Sequence, residues 1–365
     1  MRPGTRSRVL PKKGTEKMEN TQKIVTFGEI MLRLTPPANR RFDQSPVYEV
    51  TFGGSEANVA VSLANYGVRS EFVTCLPANK IATAAVEDLR RNGVETGRIV
   101  RGGDRMGLYY MEKAASIRSS QVVYDRAGSS FDALRPGMID WEETFRDAGW
   151  FHWSGIAAAV SADTAEVCAE AIGAARRLGL TVSCDINYRK NLWRYGKTAR
   201  EVLVPMMDEC DVLFGTDDEY ATVAGIGVPT LKNREASDKL DPADYEAAAR
   251  ETAARFPNCR MAVFALRNVL NANHHTVSGT LSTEGRLLTT RVYEIEPVVD
   301  CVGVGDAFVG GIIYSLHAGR TPQQALDFGA AACALKNTVP GDYNRMTVEE
   351  VDALVGGSAS GRIAR

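Results

Sequence analysis

Short apolar runs rich in β-branched and aromatic residues alternate along this chain with longer segments of helical periodicity. The first run, Ile24-Val25-Thr26-Phe27, closes on Gly28, and comparable runs recur at 71–76, 150–153, 181–186, 211–214 and 261–266. Residues 55–66, 82–92, 161–178 and 242–256 carry helical patterns between them, and 306–316, 322–337 and 347–355 make the last third helical. Strands that read as continuous apolar runs, each followed by a helix, imply a parallel sheet covered on both faces, because right-handed crossovers place helices there. The expected class is therefore α/β with a doubly wound sheet. Two stretches, about 32–52 and 105–124, contain strand-like pieces without an intervening helix, and could pair as a small antiparallel sheet, either a lid or a surface excursion. No linker divides the chain after residue 23, which gives one main domain over 23–365 with that insertion. Residues 1–22, with six basic groups against two acidic ones, read as a loose basic tail.

Composition then limits the partners. With 44% apolar and 24% charged residues the chain can build an ordinary globular core. Its 43 Lys and Arg against 45 Asp and Glu leave a formal charge of −2, no global field for nucleic acid or an anionic membrane. Neither is an expected partner, and an anionic ligand must be held locally. Seven scattered cysteines without a C-x-x-C pair read as reduced thiols in a cytoplasmic protein. His274 and His275 would point to opposite faces of an extended segment and could not jointly clasp a metal.

The most informative segment is Asp300-Cys301-Val302-Gly303-Val304-Gly305-Asp306. It follows a stretch, 291–299, that reads as a strand, and it opens the helix expected over 306–316. Amides at a helix mouth lack partners and lie at the positive end of its dipole, a ready seat for phosphate oxygens. Asp306 in that turn is either an ordinary helix cap or a general base beside an anion hole. A dinucleotide fingerprint fits poorly, since its third small residue falls out of register, and no G-x-x-x-x-G-K-[ST] motif occurs.

At these residues the chain resembles the ribokinase-type (PfkB) carbohydrate kinases. Asp300 to Asp306 follows their C-terminal signature, and Gly53-Gly54-Ser55-Glu56-Ala57-Asn58, continuing to Gly67, follows their N-terminal one. The likeness runs from Lys23 to the C-terminus. Residues 27–34, 107–110, 124–129, 185–189 and 357–362 look most similar to the 2-keto-3-deoxygluconate kinases. The resemblance implies a ribokinase-like, Rossmann-like sheet with a small β lid over the sugar. It implies Asp306 as the base, with the amides of Gly303, Val304 and Gly305 as the anion hole. Gly53, Gly54 and Asn58 would lie against the sugar, and Arg189, Arg126, Tyr109 and Tyr110 are candidates for its carboxylate and hydroxyls. Leu266, Arg267 and Asn268, with 334–337 (Asn337 among them) and Gly341, correspond to the nucleotide wall. Asp217 and Glu219 match an acidic motif that organises Mg²⁺, held through water and phosphates rather than in a protein cage. A monovalent cation is a further cofactor candidate, and a homodimer could form along the lid edge.

The expected activity is therefore ATP-dependent phosphorylation of a primary hydroxyl on a keto-acid sugar, 2-keto-3-deoxygluconate foremost. Fructose or ribose would suit the same machinery. Thr216, Ala265, Cys301 and Val304 depart from the family pattern, and they keep open a sugar-binding module with weak or lost catalysis. An NAD-dependent oxidoreductase would need a glycine fingerprint after the first strand, which Phe27-Gly28-Glu29-Ile30 does not supply.

Overall fold

The computed structural model describes residues 22–228 and 242–358. The basic-tail reading lies outside them except for Gln22, as does 359–362 of the C-terminal likeness.

Apolar runs become strands here because both their faces are covered. Lys23–Phe27 is buried at every position. It sits within a nine-stranded sheet in the order Arg286–Thr289, His274–Thr283, Met261–Asn271, Val212–Gly215, Thr181–Asp185, Ala148–Ser154, Lys23–Phe27 and Ser70–Val73, with Tyr293–Ile295 also paired to His274–Thr283. Adjacent residues feed opposite faces, as the two-residue period of a strand requires. Phe151 and Leu213 join one apolar cluster, whereas Trp150 and Phe214 join another with Phe308 and Phe328. Helices close cleanly around this sheet. Ser161 caps Ala162–Leu178 by accepting the Thr164 amide, and Gly179 ends it at φ 77°.

The sheet is parallel from Ser70–Val73 across to Met261–Asn271. Beyond that edge the expectation of a parallel sheet is corrected, because His274–Thr283, Arg286–Thr289 and Tyr293–Ile295 add antiparallel. The hairpin between the first two turns through Glu284 and Gly285, both at positive φ (50° and 73°), the handedness that suits strand twist. Residues 291–299 hold only the short strand Tyr293–Ile295. The 71–76 run is split, since Cys75–Leu76 leaves the sheet to pair with Val100–Arg101.

A second, four-stranded sheet has the order Glu49–Gly53, Met31–Thr35, Leu108–Glu112 and Gln121–Asp125. It is mixed rather than antiparallel, because its two central strands run parallel. Arg33 fastens it to the main body. This side chain is 2% exposed; it donates through Nη2 to Asp300 at 2.9 Å, through Nη1 to Asp342 at 3.0 Å and through Nε to Thr35 at 2.8 Å. Asp342 also accepts from Thr51 at 3.2 Å and from the Tyr109 hydroxyl. Among the described residues, no helix is long and apolar enough to cross a membrane.

Candidate active site

The helix expected from Asp306 begins at Val304, so Asp306 lies in its first turn. Gly303 precedes it at φ 76°, and a Cβ there would stand 1.9 Å from the Asp342 carbonyl oxygen, so this position admits only glycine. The first intrahelical bond runs from the Ala307 amide to the Gly303 carbonyl at 2.9 Å. The amides of Val304, Gly305 and Asp306 therefore stand at the positive end of the helix without an intrahelical partner. Gly305 is exposed with open space around it. Val304 takes helical backbone and is 5% exposed, in the same apolar cluster as Phe308 and Val309.

Both oxygens of Asp306 are held by the mouth of a second helix, Ser55–Asn65. Oδ1 accepts from the Ser55 hydroxyl at 2.8 Å and Oδ2 from Asn58 Nδ2 at 2.7 Å. Asn58 Oδ1 in turn accepts the Gly54 amide at 3.3 Å. Gly54 is extended, and a Cβ on it would meet the Glu29 carbonyl at 1.9 Å, so its lack of a side chain lets these segments close up. The Ser55 hydroxyl accepts from Asn187 Nδ2 at 3.0 Å, and that amide also reaches Asp185 Oδ2 at 3.2 Å. Each Asp306 oxygen accepts one of these bonds and has lone-pair capacity for another donor, and the residue lines the cleft at this helix mouth. Burial raises the Asp306 carboxyl above the usual carboxylate range, against the lowering effect of Asn58 and Ser55. Asp185 is driven up further by burial and by the charges of Glu219 and Asp306.

Glu56, on the same helix, is 1% exposed and accepts from the Ser154 hydroxyl. Burial pushes its carboxyl from 4.5 up to about 7. The folded chain thus keeps a proton that the unfolded chain releases, so stability falls as pH rises from 4.5 to about 7 and stays reduced above that. Melting temperatures across this window should decline with a shallower slope in Glu56→Gln than in the wild type.

A cleft of about 450 Å³ opens between the two sheets at this helix mouth. Gly53, Gly54, Asn58, Tyr109, Arg189, Leu266, Arg267, Glu219 and the 303–306 turn all line it. Arg189, half-exposed, lies 3.7 Å from Glu219, whose carboxylate accepts the Tyr188 and Thr216 amides at 3.0 and 2.8 Å. Asp217 and Asn268 line a neighbouring concavity that shares Arg189, Glu219 and Arg267 with the cleft.

Four expected contacts are not found along the cleft. Arg126 is 8% exposed and ion-paired with Glu29, a buried carboxylate that also accepts from Ser129. Tyr110 alternates to the other face of its strand and meets the Tyr48 ring edge-on at 6.4 Å. Asn337 is fully buried and donates to the Cys333 carbonyl, and the Gly341 amide donates to Asp300 at 3.2 Å, so both support the turn from behind. Ser55, Asp185 and Asn187 were given no role from sequence. Asp-x-Asn at the end of a buried strand is the available signal for the latter two.

A carboxylate gripped at the mouth of one helix by the mouth of another, beside bare amides, can take a hydroxyl proton next to a seat for a phosphoryl group, the chemistry of a kinase. The chain belongs to the pfkB family of carbohydrate kinases, whose profile matches residues 21–256 and 262–348. It is 32% identical over 352 residues to the 2-dehydro-3-deoxygalactonokinase of Haloferax volcanii, covering 93% of this chain and 99% of that one. It is 26% identical to the 2-dehydro-3-deoxygluconokinase of Bacillus subtilis, covering 89% of this chain and 93% of the other. The crystal structure of the 2-dehydro-3-deoxygluconokinase from Thermotoga maritima superimposes with a TM-score of 0.86 at 40% identity, covering 92% of this chain and all of that one.

Proposed function

We propose that this kinase transfers the γ-phosphoryl group of ATP to the primary hydroxyl of a 2-keto-3-deoxy sugar acid, 2-keto-3-deoxygluconate or its galacto epimer, in the cytoplasm. The observation that carries the reading is Asp306, clasped by Asn58 and Ser55 at the helix mouth and facing a cleft that Arg189 also lines. The sugar hydroxyl gives its proton to the Asp306 carboxylate as its oxygen bonds to the γ-phosphorus. The bond from that phosphorus to the β–γ bridging oxygen breaks, and ADP leaves. The Val304 and Gly305 amides hold the transferring group, a stabilisation that costs no rearrangement at the moment of reaction. The small sheet serves as the lid that dries the site.

Arg189 is the cation suited to the sugar carboxylate, and Tyr109 lies at the sugar end beside Gly53. Leu266 and Arg267 form the nucleotide side. Asp185, Glu219 and Asp306 put carboxyl oxygens along the cleft, donors that suit a hard divalent ion reached through water. Among the described residues no group of three or more His, Cys, Asp or Glu side chains could hold a metal directly. Mg²⁺ bound with the nucleotide would neutralise phosphate charge there, with Glu219 on the cleft wall and Asp217 in the adjoining concavity as the residues that would hold its water shell. The edge strand Gln121–Asp125 is exposed along its length, which favours a homodimer paired at that edge.

The test is a coupled ADP-release assay with both 2-keto-3-deoxy acids, fructose and ribose. The acids should turn over best, and Arg189→Gln should raise their KM roughly 10–100-fold, the worth of a charge-assisted contact, while sparing any neutral sugar. Equal loss on acid and neutral sugars would reject the assignment of Arg189, and binding without ADP release would favour the sugar-binding module.

A further inference from the structure

Asn187 is 6% exposed and stands two positions past the end of the strand Thr181–Asp185, with its backbone at φ 38°. Asparagine is one of the few residues with a side chain that enters this left-handed region readily. The backbone is pinned on both sides, because the Ile186 amide donates to the Phe214 carbonyl at 2.8 Å and the Tyr188 amide to Glu219 at 3.0 Å. Both hydrogens of Asn187 Nδ2 are committed, one to Asp185 Oδ2 at 3.2 Å and the other to Ser55 Oγ at 3.0 Å. Ser55 carries a single hydroxyl hydrogen, and it goes to Asp306 Oδ1 at 2.8 Å. Asp185, Asn187, Ser55 and Asp306 all line the cleft. From Asn187 the bonds therefore run in one direction and end on the base.

A carboxylate anchored on both oxygens, here by Ser55 and Asn58, has its plane fixed, whereas one anchored on a single oxygen can turn about its last torsion. Without the amide, Ser55 Oγ loses the donor that holds it, and its hydroxyl is free to leave that rotamer. We infer that Asn187 is a positioning residue for phosphoryl transfer: anchored on Asp185, it holds the Ser55 hydroxyl as a one-way donor to Asp306, and through it keeps the base aimed at the sugar hydroxyl. The inference rests on the kinase reading above.

The test measures kcat and both KM values for wild type, Asn187→Gly, Ser55→Ala and the double variant. Glycine takes φ 38° without strain, so Asn187→Gly removes the amide and spares the backbone. It should lower kcat about tenfold, short of the roughly 10²-fold of an outright misplaced group, with both KM values within about threefold. Ser55→Ala, which removes the anchor itself, should cost at least as much. The double variant should match Ser55→Ala within about twofold, because a residue that acts only through Ser55 then has nothing to act on. Asn187→Asp keeps the size and tolerates the same backbone, but it turns an acceptor toward Asp185, so its kcat should fall at least as far as that of Asn187→Gly. Losses that multiply in the double variant overturn the inference, since Asn187 would then act on substrate or through Asp185. So does unchanged kcat in Asn187→Gly, or a rise in sugar KM alone, the sign of a direct contact. Failure of both Asn187 variants to fold would assign the residue to stability and overturns the inference as well. Absence of ADP release by wild type with every sugar would remove the kinase reading itself. The two failures are distinguishable, because only the first leaves an active wild-type enzyme.

Discussion

Asp306→Asn is expected to lower kcat by about 10²–10⁴-fold, the contribution of a positioned general base, with sugar KM changed far less. The substitution preserves volume, and the new carbonyl can still accept from one of Ser55 and Asn58. With that carbonyl on Asn58, its amide nitrogen donates to the Ser55 hydroxyl, which must turn its own hydrogen to another acceptor, so a modest drop in melting temperature accompanies the loss. Because burial raises the Asp306 carboxyl, wild-type kcat/KM should climb as pH rises through that elevated value and level off above it. The residual rate of the variant should lack this acid limb. Turnover that survives intact in Asp306→Asn would show that the hydroxyl proton leaves by another route.

The largest stability effect should come from Arg33→Met. A buried ion pair is weak evidence of net stabilisation, since an apolar replacement of all partners can do as well. Removing one partner is different. Arg33 alone spans Asp300 and Asp342, at 2.9 and 3.0 Å, and the variant leaves two acids, each under 5% exposed, with only Lys113 at 3.8 Å from Asp300 as an ion pair. The expected cost is about 3–5 kcal/mol, read by urea denaturation. Arg33→Lys should recover only a fraction, because a point ammonium cannot reproduce three fixed donors. A loss below about 1 kcal/mol, the range of exposed pairs, would mean that water reaches the cluster.

The parallel part of the sheet was legible because covered strands leave unbroken apolar runs. The antiparallel edge was not, for a local reason. Thr283-Glu284-Gly285-Arg286 makes its tight turn with Glu at a position where Asn or Asp would have announced a hairpin. The helix mouth at Gly303 to Asp306 was visible from glycine spacing, and Asn58 and Gly54 from the resemblance to a family. Arg126 and Asn337 lie away from the cleft because each is taken up by a buried neighbour that no sequence signal reports: Glu29 pairs with one, and the Cys333 carbonyl accepts from the other.

The partners that complete this centre are far apart in order of synthesis: Ser55 and Asp306 are separated by 251 positions, Arg33 and Asp342 by 309. At about 5–20 residues per second, a ribosome that has released Arg33 must work for tens of seconds before the acids that will neutralise it emerge. Lys23–Phe27, interior to the finished sheet, can pair early with Ser70–Val73, but its other side must await Ala148–Ser154. A nascent chain stopped before residue 300 would lack both acids that Arg33 meets and the carboxylate of Asp306, so neither the fastening of the small sheet nor the site could form.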